Sequence, residues 1–255
     1  MPPIIADPGF YAAAVPAVLL VGMSKGGFSG LSLLSLPLLA LVTSPVKAAA
    51  IMLPILLVQD VVSVWAYRKS FDRRILAVML PGSFLGVAIG WLIAAWVTEA
   101  MVRVGVGVIS VGFVALYWRR RYAAGPDGGT PPSTAAGVFW GALAGYTSFV
   151  AHAGGPPFQV YVLPRRLSPE SYAGTNTLFF AVTNAVKVIP YLALGQFSPE
   201  NLGTSAVLIP AAIAATFVGV WLVRRIDASR FYTIIYGLSF GVGLKLMWDG
   251  VRDLS

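Results

Sequence analysis

The sequence predicts an all-α integral membrane protein built from two inverted repeats of about five helical segments each. Of its 255 residues, 57% are hydrophobic and 11% are charged, whereas an average soluble domain has about 25% charged residues. The apolar residues form long runs, which excludes disorder and differs from the short alternating segments of a transmembrane β-barrel. The same motifs also recur in the same order in the two halves of the chain. At about 20 residues per span, the length allows about ten spans and no soluble domain.

Residue counts exclude several classes of function. The net charge is +8, and because membrane proteins concentrate such an excess in cytoplasmic loops, we expect no nucleic-acid partner. The chain has no cysteine and a single histidine, His152, which excludes disulfides, thiolate chemistry and multi-histidine metal sites. No nucleophile–base pair stands out by spacing, and the phosphate-binding motif G-x-x-x-x-G-K-[ST] is absent. We therefore expect neither an enzyme nor a bound cofactor or metal.

Ten apolar segments follow one another, separated by charges or turn residues. Their approximate spans are 9–24, 28–43, 46–67, 75–97, 100–118, 134–152, 156–164, 170–194, 201–223 and 229–248. No Lys or Arg precedes the first segment, so we expect a helix of the mature protein rather than a signal peptide. The stretch 123–133 is rich in Gly, Pro and polar residues, which predicts a flexible linker. It separates a first repeat, 1–122, from a second, 134–255.

Matched residues in the two halves indicate the internal repeat. In chain order the matches are Gly26-Gly27 with Gly154-Gly155, Leu36-Pro37 with Leu163-Pro164, Ser44-Pro45 with Ser168-Pro169, Asp60 with Asn184, Tyr67 with Tyr191, Phe71 with Phe197, Pro81 with Pro210, and Trp91 with Trp221. Small gaps account for the varying offset. Chance matching of common membrane residues is the alternative, but the order of these pairs is kept throughout.

The basic loops orient the segments, because Lys and Arg accumulate on the cytoplasmic side of a membrane. The basic loop residues are Arg68, Lys69, Arg73, Arg74, Arg119, Arg120, Arg121, Arg165, Arg166, Arg224, Arg225 and Arg230. When these loops are placed inside, both termini lie outside, and the third and eighth segments run in opposite directions. The two repeats are then inverted, as an odd number of segments per repeat requires. We expect the chain to lie in the inner membrane of the cell.

Short, broken hairpins at matching positions of the two halves are a candidate binding site. The first, second and seventh segments are short, and in each half the first two segments meet at a Gly-Gly pair, within 24–30 and 152–157. Such interrupted segments in inverted halves are typical of a membrane transporter's substrate site, because backbone groups freed by a break cannot face lipid. Helix N-termini at the breaks would favour an anion. The alternative is that the glycines only allow close helix packing.

Four ionisable residues lie within apolar runs, namely Lys25, Asp60, His152 and Lys187, and each needs a partner or a function there. Asp60 is a candidate partner for either lysine, and two lysines with one aspartate leave one positive charge for an anionic ligand. A buried pair that only fixes helix packing is the alternative, as is snorkelling of Lys187 to the interface. His152 is either a hydrogen-bonded helix-end residue or a proton carrier.

Polar residues on the eighth segment extend the candidate site. Asn176, Thr183 and Lys187 fall within about 40° of one another on one helical face, and Thr175 adjoins them. Inside a bilayer such a stripe should face the interior of the bundle. It makes either hydrogen bonds between helices or hydrogen bonds to a ligand.

Two stretches carry a resemblance to a known family. The first has Gly-Met-Ser-Lys-Gly-Gly-Phe-Ser-Gly at 22–30, Pro-Leu-Leu-Ala-Leu at 37–41 and Ser-Pro-Val-Lys-Ala-Ala at 44–49; the second has Gly-Gly at 154–155, Pro164, Ser-Pro-Glu-Ser-Tyr-Ala-Gly-Thr-Asn-Thr at 168–177 and Lys-Val-Ile-Pro-Tyr at 187–191. With these motifs, nearly the whole chain resembles the TauE/SafE family of membrane transporters, often called sulfite exporters. The resemblance implies secondary transport of sulfite, sulfonates or related compounds.

Residues and resemblance together predict a secondary transporter in the lipid bilayer that moves a small sulfur-containing anion by alternating access. The candidate substrate-binding residues are Ser24, Lys25, Gly26, Gly27, Gly154, Gly155, Thr175, Asn176, Thr183 and Lys187. Asp60 and His152 are the candidates for coupled protonation, which makes the proton a candidate coupling ion. A passive anion channel that uses the same site is the alternative. The sequence leaves open which anion moves, in which direction, and whether the chain forms a homodimer.

Overall fold

The fold is all-α. The structure is a computed structural model that describes residues 3–28, 31–40, 42–93, 96, 98–123 and 133–254. Over these ranges the chain forms α-helices and short 3₁₀ helices joined by brief turns, and none of it forms a β-strand. The predicted all-α class is therefore confirmed. Residues 124–132 of the predicted linker lie outside the described residues.

The helices follow the predicted segments closely. In chain order they are α1 (Pro8–Lys25), a 3₁₀ helix (Leu31–Leu34), α2 (Ser35–Ala40), α3 (Pro45–Tyr67), α4 (Arg73–Ile93), α5 (Glu99–Ala123), α6 (Thr134–Ala151), α7 (Gly155–Val162), a 3₁₀ helix (Leu163–Arg165), α8 (Pro169–Ala193), α9 (Pro199–Val223) and α10 (Ala228–Leu254). Each half therefore has long helices and one short helix next to a 3₁₀ helix. The sequence predicts a short segment at both of these places.

Side-chain caps fix where several helices begin. Asp7 accepts a hydrogen bond from the backbone N–H of Gly9 at 2.9 Å and starts α1. Ser44 accepts from Lys47 N–H at 3.3 Å and starts α3. In both cases a proline follows at the first helical position, where its missing N–H removes no hydrogen bond. The Ser-Pro pair at 44–45 thus marks a helix start, because Ser44 caps the helix and Pro45 needs no hydrogen-bond acceptor there.

Three predicted boundaries differ from the structure. The fifth segment, expected to end at 118, continues to Ala123, so Arg119, Arg120 and Arg121, which were expected in a loop, lie in α5. The second segment, expected as one helix over 28–43, is a 3₁₀ turn followed by the six-residue α2. The tenth segment, expected to end at 248, continues to Leu254. In that extension Asp249 accepts from Lys245 one turn earlier at 2.7 Å, and Asp253 pairs with Arg103 of α5 at 2.6 Å. Charged residues predict the end of an apolar run, but ion pairs stabilise these residues in the helix.

Five helices among the described residues are long and apolar enough to cross a membrane. By length and composition these are Pro8–Lys25, Val46–Tyr67, Arg73–Ile93, Pro199–Val223 and Ser229–Asp253. The helix α8 is as long as α9, with 25 residues, but its polar stripe lowers its hydropathy. These helices support the prediction of a chain that crosses the bilayer repeatedly.

The chain divides into two compact units, and each draws helices from both halves of the sequence. Unit 1 comprises residues 1–72 and 169–227, and therefore contains α1, α2, α3, α8 and α9. Within it α9 packs on α1 and α3, and α3 also packs on α8. At the α1–α9 crossing Gly26 faces Gly219, and a Cβ on either residue would overlap the opposite backbone. This close approach is the kind that small residues allow between membrane helices.

Unit 2 comprises residues 73–168 and 228–255, and contains α4, α5, α6, α7 and α10. Its principal pairs are α4 with α6 and α5 with α10. Glycines also set the α4–α6 contact: Gly86 lies against the backbone of Ala142 and Tyr146, and Gly145 lies against the backbone of Ser83. A side chain at either glycine would force the two helices apart.

The helix pairs inside the two units match the order of the predicted repeat. In unit 1 the first helix of one half, α1, packs on the fourth helix of the other, α9. In unit 2 the equivalent helices with the halves exchanged, α6 and α4, pack together. The third helices, α3 and α8, pair with each other, as do the last helices, α5 and α10. This pattern is what a duplicated chain would produce, and the inverted repeat itself stays a prediction.

Candidate functional site

The candidate site in unit 1 starts where α1 ends. Lys25 is the last residue of the helix, and Gly26 follows as its C-cap. Gly27 has φ +131°, and a Cβ there would lie 2.6 Å from Val223 and 2.9 Å from Ala173. An L-residue rarely adopts this backbone conformation, so glycine is required both for the turn and for the space. The helix therefore breaks at the place that the Gly-Gly pair predicts.

Hydroxyl groups from two other helices bind the carbonyls that the break leaves open. Tyr67, at the end of α3, donates its hydroxyl to the carbonyl of Gly26. Thr177 of α8 donates to the carbonyl of Lys25 at 3.3 Å. The last carbonyls of a helix have no partner within it and cannot be left unpaired in a hydrocarbon environment. The break is thus held by side chains of α3 and α8.

A buried ion pair lies directly beside the break. The ammonium of Lys25 donates to Oδ1 of Asp60 on α3, and their side chains are 8% and 4% exposed. Asn184 of α8 donates its amide to the other carboxylate oxygen, Oδ2, at 2.6 Å. The sequence predicts either Lys25 or Lys187 as the partner of Asp60, and in the structure Lys25 forms the ion pair. The carboxylate is therefore bound on both oxygens, by residues from α1 and α8.

Lys187 lies in the same unit and is fully buried. It lies close enough to Lys25 and Asp60 for electrostatic interaction with both side chains, and we call these three residues the α1–α3–α8 charge cluster. A lysine that snorkels to the membrane interface keeps its ammonium in the polar region. Complete burial of Lys187 excludes that alternative.

The polar stripe of α8 is buried, as predicted, and part of it is occupied by local hydrogen bonds. Thr183 donates to the carbonyl of Phe179 one turn earlier at 2.8 Å. Thr175 donates to the carbonyl of Ser171 and accepts from the backbone N–H of Asp72 at 2.9 Å. The side-chain oxygen of Asn176 is buried without a hydrogen-bond partner. This oxygen has a free acceptor site that a ligand donor would fill.

An aromatic ring completes the surroundings of Lys25. Its ammonium lies 5.9 Å from the centroid of the Phe180 ring, at the outer limit for a cation–π contact. Ser24, the preceding residue, is buried as well. The charge cluster is consequently closed to solvent in this structure, and an ion inside it would be desolvated.

The second Gly-Gly break lies in unit 2. His152 caps α6 at its C-terminus in the left-handed conformation, with φ 48°, and its backbone N–H reaches the carbonyl of Ser148 at 3.2 Å. Gly154 precedes α7, whose first residues are Gly155 and two prolines. Because proline has no N–H, the N-terminus of α7 offers an anion fewer backbone donors than the N-terminus of most helices.

Three residues of the unit 1 site were missed as candidates from sequence: Asn184, Tyr67 and Thr177. The repeat alignment contained a signal for the first, since Asn184 is the register partner of Asp60 and the two residues bind each other in the structure. Tyr67 is likewise matched, with Tyr191. Thr177 was visible only as part of a polar run. No group of three or more His, Cys, Asp or Glu suited to a metal occurs among the described residues.

A buried ion pair at a broken membrane helix is typical of the substrate sites of membrane transporters, and the fold and site therefore point to that class of protein. The family can be stated as well. The model of the TauE/SafE sulfite exporter family matches residues 14–246, and the chain belongs to that family. Its members are transporters rather than enzymes, and the chain is a multi-pass membrane protein. No curated protein and no solved structure matches the chain significantly.

Proposed function

We propose that this chain is a secondary transporter that moves a small sulfur-containing anion, such as sulfite or a sulfonate, by alternating access. We place it in the inner membrane with both termini outside. The observation that carries the proposal is the α1–α3–α8 charge cluster at the broken end of α1. Charged groups inside a bilayer are costly and are retained chiefly on ion or substrate pathways. The family match supports a sulfur anion as the cargo.

In this proposal Lys25 and the adjoining backbone at Ser24, Gly26 and Gly27 hold the anionic head. An ammonium has three donors, and the contact with Asp60 leaves Lys25 with further N–H groups for an oxyanion. The buried oxygen of Asn176 accepts from a hydroxyl or protonated group of the ligand. Thr175, Thr183 and Lys187, also in unit 1, have the same assignment. Gly154 and Gly155 of unit 2 stay candidates for substrate binding on the sequence alone.

Asp60 and His152 are the proposed groups for proton coupling. Protonation of Asp60 would weaken its bonds to Lys25 and Asn184, and would so link the proton to the shape of the site. His152→Asn tests the other candidate cleanly, because asparagine tolerates the left-handed backbone that position 152 requires. If His152 carries the proton, this variant transports without the pH-gradient dependence of the wild type while its thermal stability is unchanged.

The test of the function is counterflow in proteoliposomes. Vesicles containing the purified protein are loaded with unlabelled sulfite or a C2 sulfonate, and uptake of the labelled compound is followed. A carrier accumulates label transiently for two reasons. Unlabelled internal substrate binds the site and speeds its return to the outside, and the excess of unlabelled compound inside slows the exit of the label. A passive channel, the alternative, dissipates the gradient without this trans-stimulation.

One variant tests the ion pair in this assay, and a second serves as its control. Lys25→Met/Asp60→Asn removes the ion pair as a unit, and we expect it to abolish counterflow. Lys245→Met removes an exposed lysine of α10 that pairs only one turn away within its own helix, and should transport as the wild type does. Sulfite or sulfonate uptake by the double variant at the wild-type rate would remove the charge cluster from the pathway.

A further inference from the structure

We propose that the substrate carries a hydroxyl group on the same small molecule as its anionic sulfur group, and that Asn176 of α8 selects this hydroxyl. The cargo is then a hydroxysulfonate rather than sulfite or an unsubstituted alkanesulfonate. This inference rests on the proposed function and names the second chemical group of the same substrate. It follows from a buried amide oxygen near the broken end of α1 that no described residue binds.

Asn176 is buried with an acceptor that the protein does not use. The residue is 4% exposed, and its side-chain oxygen Oδ1 has no hydrogen-bond partner among the described residues. A buried acceptor that stays unpaired lowers the stability of a folded protein, so such a group in a native structure requires an explanation. A ligand group that donates to this oxygen supplies one.

The neighbouring polar side chains of α8 differ from Asn176 because the protein itself binds them. Thr175 and Thr183 donate to carbonyls one turn earlier in the helix, at 2.7 and 2.8 Å. Thr177 donates to the end of α1 at 3.3 Å, and Asn184 donates to the aspartate of the charge cluster at 2.6 Å. These bonds account for the burial of the other four side chains, but they do not account for the burial of Asn176.

Asn176 lies beside the broken end of α1. The next residue, Thr177, binds the carbonyl of Lys25, and the ring of Phe180 lies 5.9 Å from the Lys25 ammonium. Residues four apart share one face of a helix and are separated by about one turn, or about 5.4 Å along the axis. Asn176 is therefore about one turn from the ring that contacts Lys25. A ligand whose anionic group binds Lys25 can reach Asn176 with a second group on a short carbon chain.

A hydroxyl is the group that matches a carboxamide best. The amide oxygen accepts hydrogen bonds and the amide NH2 donates them, whereas a hydroxyl does both, so a hydroxyl pairs with either end of the amide. An ammonium only donates and a carboxylate only accepts, so each matches one end alone. A methyl group leaves the buried oxygen unpaired, and a site that binds a hydroxyl rejects an analogue without one.

The experiment compares two probes of the same size and charge. Isethionate has a hydroxyl at the end of a two-carbon sulfonate, and propanesulfonate has a methyl in its place. Titration calorimetry in detergent measures Kd for both, and we expect the wild type to bind isethionate at least about tenfold more tightly, which corresponds to about 1.4 kcal/mol. Asn176→Leu replaces the amide by an apolar group of similar shape and should remove this preference.

Asn201→Leu of α9 is the matched control. Asn201 is also buried, at 7% exposed, and its Oδ1 likewise has no hydrogen-bond partner in the part of the chain that the structure describes. It lies far from the charge cluster, because Ser205 one turn further on binds the carbonyl of Ile51, more than two turns before Asp60 in α3. This variant should keep the wild-type ratio of the two Kd values.

Each outcome decides one of the two proposals. Hydroxyl selection is overturned by a wild type that does not prefer isethionate, by one that binds sulfite but neither probe, or by a ratio that Asn176→Leu leaves unchanged or Asn201→Leu removes as well. In all these cases the transporter proposal stands. A folded wild type that binds no sulfur anion overturns the transporter proposal itself. Thermal unfolding establishes folding, and the corresponding Ala variant replaces a Leu variant that fails to fold.

Discussion

At the scale of single residues, the fold depends on Asp60, a buried residue that needs the partners on both of its carboxylate oxygens. Asp60 is 3% exposed, and it is compensated by Lys25 and hydrogen-bonded by Asn184. Removing one partner of a buried pair leaves an uncompensated charge, whereas removing both is often tolerated. Stability and function are therefore separable at this pair.

Lys25→Met alone should destabilise the protein by about 3–5 kcal/mol, because Asp60 is left buried without its counter-ion. Lys25→Met/Asp60→Asn should lose much less, since neither member of the ion pair is left buried without its counter-ion. Thermal unfolding in detergent, read as a double-mutant cycle with Asp60→Asn, measures the coupling. Additive losses from the two single variants would mean that the two side chains do not interact in the folded protein.

The sequence identified Lys25, Asp60 and Lys187 as buried charges because ionisable residues are rare in apolar runs. It left two partners open for Asp60, since distance along the chain does not show which helix faces which. The break at Gly26 was predictable from its motif. That Tyr67 and Thr177 bind the carbonyls of the break was not, because hydrogen bonds between distant helices leave no periodic signal in sequence.

At the scale of the helices, glycines determine how closely neighbours approach. The ends of α1 and α9 meet at Gly26 and Gly219, with no room for a Cβ. In contrast, Gly112 of α5 has nothing within 4 Å of the place where a Cβ would stand. The sequence alone does not distinguish Gly26 from Gly112, but of these two glycines only Gly26 lies where two helices cross closely.

Gly26→Ala should therefore lower the thermal stability of the purified protein strongly and reduce its yield in the membrane, because α1 and α9 must separate. Gly112→Ala is the matched control, and it should be neutral or stabilising by up to about 1 kcal/mol, since alanine is the better helix former. Both are measured by thermal unfolding in the same detergent. Equal stability of the two variants would show that the α1–α9 approach is not tight at Gly26.

Helix existence and most starts could be predicted, whereas helix ends were predicted less well. The start of α3 followed from the Ser44 cap and its proline. The end of α10 was placed too early because charged residues near a helix terminus look like a loop in sequence, although Lys245–Asp249 and Arg103–Asp253 pairs keep them helical. The second segment was expected to be one helix and is a 3₁₀ turn with α2.

At the scale of the whole molecule, the sequence halves and the compact units are different divisions of the chain. Unit 1 combines α1 to α3 with α8 and α9, and so brings Asp60 of the first half to Asn184 of the second. A repeat search finds which positions correspond, but it does not say which ones touch. The pairing of register partners at this point came from the structure alone.

Orientation is predicted from loop charge and is open to a direct test, because the chain contains no cysteine. Lys69 and Leu194 are exposed residues in loops at opposite predicted sides. A single cysteine at Leu194 should react with a membrane-impermeant maleimide in intact cells, and one at Lys69 should react only after permeabilisation. Labelling in the opposite order would invert the topology, and labelling of both in intact cells would refute the placement of these loops on opposite sides.

The central claim is that Lys25 and its partners form the anion site, and binding tests it most directly. Thermal shift or calorimetry with sulfite, sulfate, thiosulfate and C2–C3 sulfonates is compared for wild type, Lys25→Met/Asp60→Asn and the exposed control Lys245→Met. The account predicts that at least one of these anions binds to the wild type and the control equally, and at least about tenfold more weakly to the double variant. An anion that binds all three proteins with the same Kd would contradict it.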